Sequence, residues 1–269
     1  MNQTERRIFL IRALLKEHPQ YRNISIPRHP QEQRRLLRSL MNIRMPHPID
    51  NEFLSVQDAY LQIETAEKGI TDLSDLTPVE AGIYLWKGDI TTLRCGAIVN
   101  AANSGMTGCY VPCHACIDNC IHTFAGIQLR LACAELMEQQ GHREETGTAK
   151  LTSAFNLPCE YVLHTVGPII AGNVTGEDQR LLASCYHSCL ALAEQNHIKS
   201  VAFCCISTGE FHFPNQLAAE IAIQSVKKFQ AQTHSDIEVI FNVFKNVDYE
   251  IYRELLDPDT KTEKGIGSR

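Results

Sequence analysis

Nowhere does the 269-residue chain string together the ~18 apolar residues that a membrane-spanning helix needs, so no segment is expected to cross a bilayer. The N-terminus, MNQTERRIFLIRALLKEHPQ, holds only a short, interrupted apolar run and no small-residue cleavage site. A signal peptide is therefore not expected, and a cytoplasmic location is. No internal repeat is visible. The final stretch, DPDTKTEKGIGSR, offers nothing to a core except Ile266, so residues 259–269 are expected to be disordered.

What is present describes an ordinary globular protein: 44% hydrophobic and 21% charged residues. The net charge of −6 is uneven, because ten Lys/Arg against four Asp/Glu give +6 within residues 1–50. A nucleic-acid surface is one reading of that basic segment. Its arginines, however, fall on polar faces of amphipathic helices, so a solvated or inter-domain face is preferred and no nucleic-acid partner is expected. Eleven cysteines without a secretion signal read as reduced thiols, some of them available to metal. Cys185 and Cys189 on a helix, and Cys204 and Cys205 in a strand, read as small core residues.

Apolar spacings of three and four residues predict helices over 5–17, after Pro30 and near 53–66, separated by Pro27, Pro30, Pro46 and Pro48. This is an N-terminal helical extension, residues 1–73, which lacks a motif of its own and is expected to pack on the main domain. From Ile83 onward the pattern alternates. Strands are predicted at 83–87, 97–100, 161–165, 201–206 and 237–243. Helices are predicted at 121–140 (with a break near Gly126), 178–196, 214–230 and 247–256. Such alternation implies an α/β domain over 74–258, a three-layer α/β/α arrangement on a mixed, largely parallel sheet.

The stretch Asn100–Gly126, NAANSGMTGCYVPCHACIDNCIHTFAG, follows an apolar strand and gathers the chemistry. Thiolate and imidazole donors sit there on a loop at the C-terminal end of a strand, where open α/β sheets bind ligands. Zinc takes such donors, four in closed structural sites and three plus water in catalytic ones. Candidates are Cys109, Cys113, His114, Cys116, Cys120 and His122; of the adjacent Cys113 and His114, one is expected to point away. Pro112-Cys113-His114-Ala115-Cys116 also fits the P-C-x-x-C element of nucleobase deaminases. That chemistry needs an upstream H-x-E, and the one present, His142-Arg143-Glu144, lies downstream. The deaminase reading fails.

Four segments, Gly88-Asp89-Ile90-Thr91, Val99-Asn100-Ala101-Ala102-Asn103, His164-Thr165-Val166-Gly167-Pro168 and Ile206-Ser207-Thr208-Gly209, come in an order that resembles a macrodomain, the ADP-ribose-binding module. The resemblance covers roughly residues 74–256. In MacroD-type macrodomains a glycine run leads from NAAN into a Val-Asp-Gly-x-Ile-His helix start. Here the helix start is Ile117-Asp118-Asn119-Cys120-Ile121-His122, and a longer segment, Gly108–Cys116, replaces the glycines. That departure resembles the zinc-dependent macrodomains of bacterial protein-ADP-ribose hydrolases. Their Cys-x4-His-x-Cys pattern implies Zn2+ on Cys109, His114 and Cys116, with Cys120 and His122 belonging to the helix. Unmetallated thiols, or a closed structural zinc with Cys113 as fourth ligand, are the plainer alternatives.

The resemblance further implies an ADP-ribose site. Asp89 would accept from the adenine amino group, with the Ile90 backbone beside it. Neither Cys116–Asn119 nor Ser207–Phe211 contains Lys or Arg, so the diphosphate would be held by backbone N–H groups of Ile117, Asp118 and Asn119 and of Ser207, Thr208, Gly209, Glu210 and Phe211. Gly209 would permit the turn and a close approach to phosphate. Phe211 would lie over the distal ribose or phosphate; Phe213 reads as core. Asn103 would reach the distal ribose, whereas Asn100 ties its turn together. Asp118 either orients water and takes its proton or holds the ribose. The implied activity is hydrolysis of mono-ADP-ribose from a modified protein, at a carboxylate ester. An ADP-ribose reader without chemistry and an O-acetyl-ADP-ribose deacetylase share that pocket.

Overall fold

The computed structural model describes residues 1–21 and 23–257; the tail expected over 259–269 lies outside them. Three helices come first. α1 (Gln3–Glu17) starts on a capping box in which Asn2 and Glu5 satisfy each other's backbone N–H groups. α2 (Pro30–Ile43) carries proline in its first turn, where no hydrogen bond is lost. α3 (Asn51–Lys68) is capped by Asp50 and stops at Gly69. Their apolar faces form a core separate from that of the rest of the chain, and Ile127 of the main domain is inserted into it. The extension is thereby docked, as its hydrophobic stripes require.

The main domain is entered through β1 (Thr71–Asp72), which pairs in parallel with β4 (Leu93–Arg94) across two other strands in sequence, β2 (Pro78–Glu80) and β3 (Ile83–Lys87). The others are β5 (Ala97–Ala101), β6 (Ala149–Ser153), β7 (Tyr161–Thr165), β8 (Ser200–Phe203) and β9 (Glu238–Val243). The helices among them are α4 (Ile117–Ala125), α5 (Ile127–Gln140), α6 (Gly176–Gln195), α7 (Asn215–Thr233) and α8 (Asn246–Leu256). A seven-stranded sheet runs in the order β2-β3-β9-β8-β5-β7-β6. It is parallel except at its two edges, where β2 and β6 pair antiparallel with β3 and β7. This is the mixed, mostly parallel α/β arrangement expected from the alternation of strand and helix.

Differences from expectation have local causes. The strand predicted over 201–206 ends at Phe203, because Cys204–Ile206 turn away into a loop. The helix predicted over 121–140 begins earlier, at Ile117, and breaks as expected at Gly126, whose φ of 95° few residues with a side chain adopt, into α4 and α5. The freed N–H of Ile127 donates to Gln57 Oε1 of α3 at 3.0 Å. The edge strands β2 and β6, and the two-residue β1 and β4, carry no apolar alternation strong enough to announce them. The ends of β3, β5, β7, β8 and β9 open on one edge of the sheet, and the loops that follow build the site.

Candidate active site

The NAAN turn places two amides at opposite depths. Asn100, fully buried at the end of β5, donates from Nδ2 to Asp118 Oδ1 at 2.8 Å, with His164 Nδ1 at 3.1 Å from the same nitrogen. Its role is to tie the turn, as the sequence suggested. Asn103 is exposed; its Nδ2 donates to Asp118 Oδ2 at 3.2 Å and to the Gly108 carbonyl at 3.2 Å. Asp118 therefore receives an amide on each oxygen. Burial raises its pKa to about 6, and these hydrogen bonds and the Arg130 charge only partly offset that. His122 Nε2 lies 3.5 Å from Asp118 Oδ1, and its imidazole is held well below its usual pKa by burial and by His164 and Arg130. It contributes a neutral wall.

The donor loop comes next. The ligand atoms of Cys109, His114 and Cys116 all lie within 4.8 Å of one another, and all three residues are partly exposed. Cys109 Sγ and His114 Nδ1 are 3.6 Å apart. Bond lengths of ~2.3 Å to sulfur and ~2.0 Å to imidazole nitrogen give tetrahedral S···N edges near ~3.5 Å, so the donors fit zinc. The other imidazole nitrogen, Nε2, faces Glu210 Oε1 at 3.5 Å and so connects this loop to the turn after β8. Cys116 is the N-cap of α4; its sulfur accepts from Asn119 N–H at 3.4 Å. Burial pushes its thiol up to about 12, and the neighbouring Cys109 and Asp118 add to this, which leaves it protonated until a cation draws the proton off.

Cys113 does not join them. Its sulfur is 3.2 Å from Ser39 Oγ and 3.4 Å from the Arg35 carbonyl of α2, so the four-ligand closed site loses its fourth member. A second group, His122, Cys133 and His164, is equally tight but wholly buried, and burial lifts the Cys133 thiol to about 12. It has no face to offer a substrate.

Around this loop the remaining predicted residues take their places. Asp89 caps the short turn Ile90–Thr92 through the N–H and hydroxyl of Thr91, at 3.0 and 2.6 Å, and its other oxygen accepts from Lys68 Nζ at 2.9 Å. Burial alone would raise its pKa, but these partners hold it below the usual carboxylate value. Ile90 is buried behind it. Ile117 and Asp118 open α4, whose first-turn N–H groups have no acceptor within the helix. Asn119 is fully buried, and its Nδ2 donates to the Val111 and Cys109 carbonyls at 2.9 and 3.3 Å. Its side chain holds the loop.

In the segment after β8 the left-handed residues are Ser207, φ 64°, and His212, φ 58°, and not Gly209, beside which a Cβ would meet only open space. The turn thus needs strain at a serine, which Gly167 accommodates: a Cβ on Gly167 would come within 2.0 Å of Ser207 Oγ. Thr208 donates to the Cys205 carbonyl at 3.0 Å, Glu210 is exposed, Phe211 is half-buried and Phe213 is core.

The sequence did not point to five contributors. Lys68, Arg38 and Asn42 come from the extension, and Arg130 from α5; no local pattern marks them, since their partners lie 21 to 89 positions away. Phe244, 75% exposed directly after β9, is the fifth; an aromatic following a strand end was its one visible sign. The adjacent Val243 carbonyl accepts from Gly88 N–H at 3.0 Å, which sets Phe244 close to the Asp89 turn.

The Macro domain family matches residues 99–222. A protein-ADP-ribose hydrolase of Treponema medium is 59% identical over 260 residues, covering 95% of this chain and all of the relative. One from Staphylococcus aureus is 46% identical over 255 residues, covering 94% and 96%. Among solved structures, a Trypanosoma brucei macrodomain in complex with ADP-ribose superposes with a TM-score of 0.64 at 27% identity, covering 86% of this chain and 97% of that one. The chain belongs to the macrodomain family and stands, through relatives that match nearly its whole length, among the protein-ADP-ribose hydrolases.

Proposed function

We propose that the protein removes ADP-ribose from carboxylate side chains of a modified protein with the aid of zinc held by Cys109, His114 and Cys116. Its family makes it a hydrolase acting on protein-ADP-ribose. The observation that carries the finer reading is the placement of the three converging donors. They occupy the loop that leads straight into Asp118, so the metal face and the carboxylate adjoin at the start of α4.

The nucleotide fits the edge as follows. Adenine donates its amino group to Asp89, which requires Lys68 to swing aside, and stacks on the exposed face of Phe244. The diphosphate lies between the N–H groups of Ile117 and Asp118, which Cys116 leaves free because its sulfur takes that of Asn119, and those of the Ser207–Phe211 turn, where the α4 dipole favours an anion. Asn103 reaches the distal ribose. Asp118, held by Asn100 and Asn103, orients the attacking water and takes its proton. Bound zinc supplies polarisation of a substrate oxygen or acidification of water. No helix among the described residues is long and apolar enough to cross a membrane.

The test pairs zinc content with ADP-ribose release from a glutamate-modified protein, before and after chelation. Zinc near one per chain and release that stops on chelation support the reading. Release that continues without metal removes zinc from the mechanism. Tight ADP-ribose binding without any release identifies a reader, and release only from O-acetyl-ADP-ribose a deacetylase.

A further inference from the structure

We infer that the N-terminal helical extension is part of the metal site, with Arg38 of α2 as the positioning residue that holds two donors in place. The inference rests on the zinc reading above and concerns how the donors are held. Arg38 Nη2 donates to the His114 carbonyl at 2.7 Å and to Asn119 Oδ1 at 2.8 Å, while its Nε reaches the same oxygen at 3.3 Å. Asn119 in turn donates to the Cys109 carbonyl at 3.3 Å and gives its backbone N–H to Cys116 Sγ. One guanidinium thus fixes His114 directly and Cys109 through a single amide, and that amide's residue also touches the third donor.

The loop needs such support. It lacks regular structure between β5 and α4, and Cys113 within it sits at a φ of 54°, a backbone conformation that a side chain disfavours. Asn42 Oδ1 of α2 takes up the Cys113 N–H at 2.9 Å, and Ser39 meets its sulfur. α2 is itself held against the main domain by a second arginine. Arg130 Nη1 donates to the Met41, Asn42 and Arg44 carbonyls at 3.1, 2.7 and 2.6 Å, closing the end of that helix. Its Nε donates to the Thr107 carbonyl at 2.7 Å, and its ring-facing side lies over Tyr110, 4.3 Å from the centroid. Two planar forks, one from each part of the chain, therefore clamp the donor loop from either side. A lysine at 38 supplies the charge without the fork.

Full-length Arg38→Lys and Arg38→Met test this by zinc affinity, measured in competition with a chromogenic chelator, beside the thermal midpoint of the metal-free proteins. Both variants are expected to bind zinc ~10–100-fold more weakly, the usual loss when a group that orients metal ligands is removed. If Arg38→Met does not fold, Arg38→Lys decides. Zinc affinity equal to the parent's, with or without a lower midpoint, overturns the positioning role while leaving the zinc reading intact. A parent protein that holds no zinc sinks both.

Discussion

Asn100 Nδ2 and His164 Nδ1 lie 3.1 Å apart between β5 and β7, both residues fully buried. An amide N–H donates, so this imidazole nitrogen accepts, and Nε2 carries the proton toward Thr152 Oγ1 at 2.9 Å. The ring is held neutral, and burial pushes its pKa down to about 3.

A pH dependence of stability follows. The unfolded imidazole takes a proton near its ordinary pKa of ~6.5, whereas the folded one does not until about 3. The stabilisation is complete above the unfolded value and is lost as pH falls toward the folded one. At ~1.4 kcal/mol per unit, His164 costs about 2–3 kcal/mol between pH 6.5 and 4.5. Urea unfolding at those two pH values should show the loss, and His164→Gln should flatten the slope. An unchanged slope in the variant assigns the acid sensitivity elsewhere.

How much of this was legible in the sequence depended on the range of the interaction. The strands at 83–87 and 161–165 follow from runs of apolar residues and coincide with β3 and β7. The grouping of Cys109, His114 and Cys116 was legible too, because the three donors that the fold brings together are also close in sequence. Arg38 and Lys68 were not, since a helix face reads the same whether it meets water or a loop 80 residues away. Gly209 illustrates the converse. Its motif position was legible, but the strained residue is Ser207, and what permits that strain is Gly167 on another strand's end.

That contact makes Gly167→Ala informative. The added methyl carbon would sit 2.0 Å from Ser207 Oγ, and the serine cannot rotate freely because its neighbours bury it. Overpacking of this kind costs ~1–3 kcal/mol. The variant should unfold at lower denaturant and bind ADP-ribose more weakly by calorimetry, since the turn proposed to receive phosphate must shift. Gly209→Ala, with open space at its Cβ, should leave stability unchanged. Equal effects of the two substitutions would show that the Ser207 contact is not what shapes the turn.

Asp89 and Lys68 are 32–39% exposed at their side chains, so their ion pair contributes little and can open for a ligand at small cost. Asp89→Ala should weaken ADP-ribose binding about tenfold, the worth of one charge-assisted hydrogen bond of ~1.5 kcal/mol. Binding of ribose 5-phosphate, which lacks adenine, should not change. A loss of both would place Asp89 somewhere other than under the base.

The division of labour between Asp118 and the donor loop is open to a kinetic test. Asp118→Asn keeps the shape of the side chain and one accepting oxygen, so one of the two amides loses its acceptor, and it removes the group able to take a proton. Loss of a general base lowers kcat by ~10²–10⁴-fold. Because the change spares the α4 N–H groups, KM and ADP-ribose affinity should stay within a few-fold. Cys116→Ala removes a donor and a weak sulfur cap, and it should stop release while zinc content falls and nucleotide binding survives. If Asp118→Asn instead raises KM and leaves kcat unchanged, the carboxylate holds the distal ribose. The proton then leaves by another route, and the metal face would have to activate water without a protein base.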